Sequence, residues 1–399
     1  MHQKPLPLQG LKVIELGSLI AGPFAARLLA EFGAEVIKIE APDGGDPLRT
    51  WRKLHQGTSL WWYAQARNKK SVTVNLKVEE GQEIVRHLAK DADLVIENFR
   101  PGMLEKWNLG WEALSALNPK LIMVRLSGYG QTGPYRDRPG FGAIAESMGG
   151  MRYVTGYPDR APVRVGVSLG DALAAMYGVI GALMAVYHRE VNGGKGQYID
   201  VALYEAVFSL MESMLPEYGM TGFIRERSGS SLPGIAPSNT YVCRDGEYIV
   251  IGANSDGIFK RFMRAIGRPD LADDPDLAGN AGRAQRAEEL DQAIGAWTAQ
   301  HDLDHVLKVL EQAEVPGGKI FNIKDIVEDI HYQTRSMIQE FTLKTGEKIL
   351  LPGIVPKLSA SPGDTRWIGP ELGEHTAEIL TQLGYDADQQ AALKKQGVV

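Results

Sequence analysis

The strongest constraint on the fold is an alternation of short apolar runs and helical segments over the first 130 residues. Runs of strand length, rich in Val, Ile and Leu, occupy residues 11–16, 35–39, 71–76, 94–96 and 121–124. Segments with helical periodicity lie between them, at residues 23–32, 79–90 and 111–117. Strands that alternate with helices form βαβ units around a parallel sheet. The sequence therefore predicts an α/β fold.

The alternation stops near residue 225, where Gly, Ser, Pro and Arg dominate. An Asp245-Gly246 pair then separates two short apolar runs, which is typical of a β-hairpin, and helical segments follow. Strand character returns in the tail. We predict a large domain that begins at residues 1–225, a smaller α+β domain at 226–325, and a C-terminal part at 326–399 that returns to the large domain.

Composition restricts the class of protein. Forty-three basic and 49 acidic side chains give a net charge of −6, which disfavours sequence-independent binding of nucleic acid. The single cysteine, Cys243, excludes an intramolecular disulfide and a cysteine-rich metal site. The N-terminus lacks the apolar core of a signal peptide, and the most apolar stretch, 172–187, is shorter than the roughly 20 residues that span a bilayer. We predict a cytoplasmic protein with no metal, nucleic-acid or membrane partner.

Residues 128–133 match the glycine pattern of dinucleotide-binding loops and follow a predicted strand. That pattern requires a helix whose first amides hold the pyrophosphate. Pro134 follows at once, and a second proline and several charges come after it. We therefore predict a glycine-rich loop with no helix and no nicotinamide site.

Residues 166–170 match the Gly-x-Ser-x-Gly elbow of serine hydrolases, with Ser168 as nucleophile between an expected strand and a helix. A hydrolase also needs a histidine, and His331 and His375 are candidates. No feature ties either histidine to Ser168, and no segment resembles an oxyanion loop. A serine hydrolase is therefore the less favoured alternative.

Asp171 follows this motif, at the start of a helix rich in small residues. One interpretation is an N-cap, because aspartate accepts hydrogen bonds from the free amides of a first turn. The other is a nucleophile, because the same amides and the helix dipole keep the carboxylate ionised, and Gly170 leaves the space beside it open. The residues alone leave both interpretations open.

Nine short segments carry a family resemblance, at residues 8–16, 21–23, 33–40, 68–71, 93–102, 127–130, 169–171, 194–197 and 372–376. In this order they resemble the family III CoA-transferases, which include formyl-CoA and carnitine CoA-transferases. The resemblance runs nearly from end to end. It implies a Rossmann-like six-stranded sheet built from the N-terminal half and the tail, and an interlocked homodimer with its site at the inter-subunit domain junction.

The resemblance also implies a mechanism in which Asp171 is the nucleophile. Its carboxylate attacks the thioester of an acyl-CoA and gives a mixed anhydride and free CoA thiolate. A β-aspartyl-CoA thioester follows before CoA moves to the acceptor acid, so that one difficult exchange is divided into easier steps. Coenzyme A is then a substrate in thioester form, and no tightly bound cofactor is expected.

The resemblance further implies which residues bind CoA, and these are Val74, Asn75, Lys77, Asn98, Phe99, Arg100 and Lys106. Three phosphates require cations at fixed positions. Beyond the residues just named, Lys69, Arg136 and Arg138 are available for this. Solvated surface charge is the alternative interpretation for the two arginines.

Three substrate-pocket positions depart from relatives of the family. Ile20 stands where formyl-CoA transferases carry a glutamine, and Phe141 and Gly142 stand where they carry a tyrosine and a glutamate. The α-methylacyl-CoA racemases share the fold and place a proton-transferring histidine at the position of Phe141. A phenyl ring cannot exchange a proton, so the sequence favours a transferase over a racemase-like isomerase.

The acyl group is harder to predict than the reaction. Our hypothesis is transfer from an acyl-CoA, with succinyl-CoA as donor, to a short dicarboxylic acid. Arg225 and Arg227 lie near the predicted domain crossing, where one of them would pair with a distal carboxylate. Solvated linker residues are the alternative interpretation.

Overall fold

The computed structural model describes residues 6–399. Its strands, in chain order, are β1 (Lys12–Glu15), β2 (Glu35–Glu40), β3 (Leu54–His55), β4 (Thr58–Ser59), β5 (Lys69–Thr73), β6 (Leu94–Glu97), β7 (Ile122–Ser127), β8 (Tyr198–Ala202), β9 (Ser238–Val242), β10 (Tyr248–Gly252), β11 (Gly317–Lys319), β12 (Ile338–Thr342) and β13 (Lys348–Pro352).

Its helices, in chain order, are α1 (Ala21–Glu31), α2 (Leu60–Gln65), α3 (Glu79–Lys90), α4 (Met103–Lys106), α5 (Trp111–Leu117), α6 (Gly142–Met148), α7 (Met151–Val154), α8 (Leu169–Val191), α9 (Leu203–Phe208), α10 (Met214–Thr221), α11 (Asp256–Ala265), α12 (Pro269–Ala272), α13 (Asn280–Gln285), α14 (Ala287–Thr298), α15 (Leu303–Gln312), α16 (Ile323–Glu328), α17 (Ile330–Thr334), α18 (Thr376–Gln382) and α19 (Ala387–Lys395).

The described residues divide into two units. The first contains residues up to Met151 together with Val165–Gly222 and Thr334–Val399, and the second contains Arg152–Arg164 and Phe223–Gln333. The sequence placed the divisions after residues 225 and 325 and did not assign residues 152–164 to the smaller part.

Six parallel strands form the sheet of the first unit, in the order β5-β2-β1-β6-β7-β8. The predicted α/β class is therefore confirmed. One face of the sheet is covered by α3, α5 and α18, and the other by α1 and α8. Strand order reverses between β1 and β6, and ligands of open parallel sheets bind outside the carboxyl ends of the strands at such a point.

The expectation that the tail supplies strands to this sheet is wrong. All six strands lie between residues 12 and 202, and β12 and β13 form a separate antiparallel pair. The sixth strand, β8, is an edge strand with Asp200 at its centre, so it lacks the apolar run that identifies the others. The tail instead attaches to β5, where the His375 amide donates to the Ser71 carbonyl at 2.9 Å.

The small residues of α8 pack within the chain. A methyl group added at Gly178 would lie 3.0 Å from Val124 Cγ1, and one added at Gly181 would lie 2.9 Å from Ile199 Cγ2. Ala182 and Ala185 are buried on the same face of the helix. This face therefore permits close approach of α8 to β7 and β8.

Among residues 6–399, one helix, α8, has the length and apolarity of a membrane span. It has 23 residues, its most apolar window has a mean hydropathy of 1.7, and 39% of that window is buried. It is longer than the 16-residue stretch considered in the sequence analysis. Core helices of soluble proteins pass the same test, so this observation is weak evidence for a membrane.

The second unit contains the antiparallel sheet β11-β10-β9 and its own apolar core. The predicted hairpin is confirmed as β9 and β10, with Gly246 in the left-handed region (φ 84°) at the turn. The guanidinium of Arg283 is fully buried and donates to the Ala236, Leu277 and Asn254 carbonyls. These bonds join the loops that surround the core.

Candidate active site

A cavity of about 240 Å³ lies at the point where the strand order reverses. Its wall comes from the carboxyl ends of β1, β2, β5 and β6 and the segments that follow them. Four of the seven predicted CoA-binding residues line it, namely Val74, Asn75, Lys77 and Phe99. The structure therefore brings together side chains that lie up to 25 positions apart in the sequence.

These four residues differ in the freedom of their side chains. Val74 is almost fully buried, and the Phe99 ring packs edge-to-face on Trp107 with 5.4 Å between centroids. Asn75 uses its side-chain oxygen to accept from the Lys77 amide at 3.1 Å. The Lys77 side chain is exposed. The apolar wall is therefore fixed, whereas the cation can move towards a phosphate.

The other three predicted CoA-binding residues do not line this cavity. Arg100 and Lys106 are exposed on the segment that follows β6. Asn98 is directed to the backbone of the first βα loop, where its amide bonds to both the N–H and the carbonyl of Ser18, each at 2.8 Å. Their contact with CoA stays a prediction.

Buried charged side chains line part of the cavity, among them Lys38 and Asp46. Lys38 Nζ is 2.8 Å from Glu15 Oε1 and 2.7 Å from Asp46 Oδ2, and all three side chains are at most 2% exposed. Burial alone lowers the pKa of Lys38, but the two carboxylates raise it above its ordinary value. Burial raises the pKa of Asp46, but Lys38 and the Leu48 and Leu19 amides bring it below its ordinary value. Both groups are therefore charged at neutral pH.

Lys69 belongs to the same network, and the interpretation of this residue as a phosphate contact is wrong. Its ammonium is 1% exposed, 2.8 Å from Glu15 Oε2, and donates to the Pro23 carbonyl at 2.7 Å. Burial lowers its pKa to about 8 despite the ion pair. A phosphate outside the protein cannot reach it. Arg136 and Arg138 are exposed, and their role stays a prediction.

Glu97, at the end of β6, is a further buried carboxylate near the cavity. Its Oε1 lies 2.9 Å from Arg125 Nε, and its Oε2 accepts from the Phe99 amide at 2.8 Å. Burial raises the pKa of Glu97 to about 7. The segment that carries Phe99 is thus held by a group that titrates near neutrality.

Asp171 lies in the first turn of α8, at the same edge of the sheet, because α8 runs antiparallel to the strands and leads into β8. The N-cap position is occupied by Ser168, so the interpretation of Asp171 as the N-cap is wrong. The helix begins two residues before Asp171, since Leu169 and Gly170 already have helical geometry. The carboxylate nevertheless remains within the turn where free amides and the dipole favour negative charge.

The Asp171 carboxylate lies directly against Gly142, the first residue of α6. A methyl group at residue 142 would be 2.1 Å from Asp171 Oδ2 and 2.8 Å from Cγ. No side chain fits between them. The structure therefore brings together Asp171 and Gly142, two of the residues that the sequence analysis selected.

Of the other two predicted pocket positions, only Phe141 adjoins this pair. Phe141 precedes α6 and is 67% exposed, so its ring forms a surface next to Gly142. Ile20 immediately precedes α1, is 9% exposed and does not line the cavity. Its place in a substrate pocket stays a prediction.

Glu146 was not predicted from the sequence. This residue of α6 is 1% exposed, and its Oε1 accepts from the Gly170 amide at 3.4 Å. A second carboxylate thus faces the first turn of α8, one residue before Asp171. The only signal in the sequence is an acidic residue within an otherwise small and apolar helix.

Neither of the other two motifs has the required context. No strand precedes Ser168 in residues 161–168, and its hydroxyl makes no capping bond, so the expected elbow is wrong. His375 Nδ1 accepts from the Ser71 amide at 3.2 Å, in a structural role. No helix occurs in residues 128–141, as predicted, so the glycine-rich loop lacks the amides that hold a pyrophosphate.

The arrangement combines a half-buried carboxylate, packed against a glycine, with a largely apolar cavity that has cations nearby. A carboxylate of this kind can act as a nucleophile towards an acyl carbon. Within residues 6–399, no group of three or more His, Cys, Asp and Glu side chains is placed to hold a metal ion.

Comparison with known proteins gives a consistent result. The sequence profile of CoA-transferase family III matches residues 8–376. A succinyl-CoA–D-citramalate CoA-transferase of Chloroflexus aurantiacus is 50% identical and covers 100% of this chain and 99% of its own length. The β subunit of a succinyl-CoA–L-malate CoA-transferase of the same organism is 42% identical over 96% of each chain. The crystal structure of a CaiB/BaiF family protein from Brucella suis, 35% identical, superposes with a TM-score of 0.84 over 95% of this chain and 100% of that one.

Proposed function

The chain belongs to CoA-transferase family III, and we propose that it moves CoA from succinyl-CoA to a short dicarboxylic acid through covalent intermediates on Asp171. The observation that carries the proposal is the contact between the Asp171 carboxylate and Gly142 at the start of α8. This contact packs the proposed nucleophile against backbone at residue 142, in a chain that is 50% identical to a succinyl-CoA-dependent enzyme.

The chemistry divides into four exchanges of one bond each. An Asp171 oxygen attacks the thioester carbon, which forms a mixed anhydride and releases CoA thiolate. The thiolate attacks the aspartyl carbon, which forms a β-aspartyl-CoA thioester and releases succinate. The acceptor carboxylate attacks this thioester and again releases thiolate. The thiolate then attacks the acyl carbon of the acceptor, and Asp171 leaves as a carboxylate.

The position of Asp171 supports each of these steps. The first turn of α8 favours the anionic form, which is both the attacking group and the final leaving group. Because residue 142 has no side chain, an acyl group on Asp171 meets only backbone there. The exposed ring of Phe141 supplies an apolar surface next to it. No general base is required, because each nucleophile is already an anion.

We propose that the cavity at the end of β1, β2, β5 and β6 holds part of the CoA. Val74 and Phe99 present apolar surface to it, and Lys77 presents a mobile cation. Arg100 and Lys106, both exposed, supply further positive charge for phosphates on the same side of the sheet.

Two observations favour a dicarboxylic acceptor. D-Citramalate and L-malate, named for two relatives, each carry two carboxylates. Arg225 and Arg227 are half-buried in the second unit. The Arg227 guanidinium donates to the Tyr153 carbonyl at 2.7 Å and lies 5.3 Å from that ring, so its position is fixed. A fixed guanidinium is suited to pairing with a distal carboxylate.

We further propose a homodimer located in the cytoplasm. On the face of α8 away from the sheet, apolar side chains are between 39% and 67% exposed: Met176, Ile180, Leu183, Met184 and Tyr187. A continuous apolar surface of this kind marks a protein–protein interface. Light scattering should give twice the mass of the chain.

The experiment is an acceptor panel read by mass for new CoA thioesters, with succinyl-CoA as donor. We expect products with C4 and C5 dicarboxylates, and Asp171→Asn should lower the rate by more than about 10³-fold, because the nucleophile is lost. Activity on monocarboxylates alone would contradict the proposed acceptor. Full activity of Asp171→Asn would contradict the mechanism, and exchange of an α-proton with solvent deuterium without an acceptor would indicate a racemase.

A further inference from the structure

The loop between β1 and α1 contains a backbone conformation that its residue does not favour. Leu19 has φ 65°, in the left-handed region. For a bulky side chain this conformation is strained, and such strain persists only where the surroundings impose it. Gly17 and Ser18, the residues before it, line the cavity at the carboxyl end of β1. The strained residue therefore lies at the edge of the proposed CoA site.

Three side chains from elsewhere in the first unit hold this loop. The Asp46 carboxylate accepts from the Leu19 amide, at 3.0 Å and 3.3 Å from its two oxygens. The Asn98 amide accepts from the Ser18 N–H and donates to the Ser18 carbonyl. Lys38 Nζ donates to the Gly17 carbonyl at 2.9 Å. Three consecutive residues are thus each bonded to a different side chain.

The three side chains have little freedom of their own. Lys38 and Asp46 form a buried ion pair of 2.7 Å, and Lys38 is also paired with Glu15. Asn98 lies close to Gly17, where an added methyl group would be 3.0 Å from its Oδ1 and 3.0 Å from Gly22 Cα. Because these groups restrain one another, they can impose a fixed conformation on the loop.

We propose that Asp46 and Asn98 are positioning residues for CoA transfer, which hold Ser18 and Leu19 in the strained conformation that shapes the wall of the CoA cavity. This inference rests on the proposed function, because CoA transfer is one of its readouts. It assigns Asn98 to the loop, whereas the family resemblance assigned it to CoA. Asp46 was not among the residues selected from the sequence.

The test is a double-mutant cycle between Asp46→Asn and Leu19→Gly. We call the hydrogen bonds that join Asp46 and Asn98 to this loop the clamp. Glycine adopts φ 65° without strain, so a loop with glycine at residue 19 depends less on the clamp. Asp46→Asn should lower kcat/KM for succinyl-CoA by about 10- to 100-fold, mainly through KM, as for other small displacements of a site. Leu19→Gly in the Asp46→Asn background should recover at least about tenfold of that loss.

Asp43→Asn is the matched control, because Asp43 is an exposed aspartate three positions before Asp46 and does not line the cavity. It should leave kcat/KM unchanged. If Asp46→Asn does not fold, Asn98→Ala with and without Leu19→Gly completes the same cycle. Thermal unfolding of each variant separates a loss of folded protein from a displaced loop.

Amide hydrogen exchange at Ser18 and Leu19 is the readout that does not depend on activity. We expect slow exchange in the wild-type protein and faster exchange at these two amides in Asp46→Asn. Equal exchange in both proteins, or a double variant as impaired as Asp46→Asn alone, would overturn the clamp. An absence of CoA transfer by the wild-type protein would instead overturn the proposed function and leave the exchange result to decide the clamp.

Discussion

Two regions at the same edge of the sheet are built by opposite means. Around the cavity at β1, β2, β5 and β6, buried charged side chains fix the backbone, with Lys38 between Glu15 and Asp46. Around Asp171, a glycine shapes the site, because the carboxylate packs against Gly142, where no side chain would fit. Charged side chains thus fix the first region, and close packing against a glycine shapes the second.

The difference indicates which changes each region tolerates. Removal of one partner of a buried ion pair lowers the stability of the fold, because the remaining buried charge is uncompensated. Where a glycine makes room for a neighbouring group, a side chain added at that glycine displaces the group. We therefore expect changes to the buried charges around the cavity to affect stability as well as activity, and changes in the Asp171 turn to affect mainly activity.

Among the variants that keep Asp171, the largest effect on activity should come from Gly142→Ala. The added methyl group would be 2.1 Å from Asp171 Oδ2, so the carboxylate must move. We expect kcat to fall by about 100-fold or more in the acceptor assay, since such displacements of a reacting group have effects of this size.

Gly166→Ala is the matched control for that variant. A methyl group there meets nothing within 4 Å, and Gly166 precedes the same helix. We expect unchanged kcat. Equal losses in the two variants would show that the chain near α8 is sensitive to any substitution, and would contradict the specific role of the space at Gly142.

Lys38→Met should lower the free energy of unfolding by about 3–5 kcal/mol, because Glu15 and Asp46 lose their shared partner in a buried site. Lys70→Met is the comparison, since Lys70 pairs with the partly exposed Glu35 and Glu378, and should cost about 0–1 kcal/mol. Urea denaturation measures both. Similar losses of stability in the two variants would contradict a structural role for the buried charges around the cavity.

Glu97 makes the free energy of unfolding depend on pH, and the raised pKa fixes the sign of that dependence. Its pKa of about 7 in the folded protein lies above the ordinary value of about 4.3, so the folded state binds more protons between these values. Glu97 therefore makes the free energy of unfolding fall as pH rises from about 4 to about 7. Glu97→Gln should remove this contribution, which is about 4 kcal/mol across the window. If the free energy of unfolding changed with pH in the same way in the wild-type protein and in Glu97→Gln, the raised pKa would be contradicted.

The smallest effect should come from Ser168→Ala. The hydroxyl makes no capping bond, so its loss should change the transferase rate by less than about threefold and the stability by less than about 1 kcal/mol. Loss of all activity, or labelling of Ser168 by a fluorophosphonate, would indicate a hydrolase.

Much of the sheet was predictable because apolar strands alternate with helices over the first 130 residues. The strand β8 was not, because Asp200 interrupts its apolar run at the edge of the sheet. The small residues of α8 were visible in the sequence, but the pattern cannot indicate which surface they contact.

The candidate site was predictable only in part. Asp171 was found by its place after a glycine at a helix start, and Gly142 by family resemblance. The misassigned Lys69 and the overlooked Asp46 share one cause: sequence distance hides their ion-pair partners. A lysine within an apolar run, such as Lys38 in β2, was the available signal for buried charge.

The central claim is that the Asp171 carboxylate becomes acylated during turnover. The most direct measurement is to add hydroxylamine to the enzyme with succinyl-CoA and an acceptor acid, then digest it and sequence the peptides by mass spectrometry. We predict a hydroxamate on Asp171, absent without succinyl-CoA and absent in Asp171→Asn. An unmodified Asp171 peptide from an enzyme that is turning over would contradict the account.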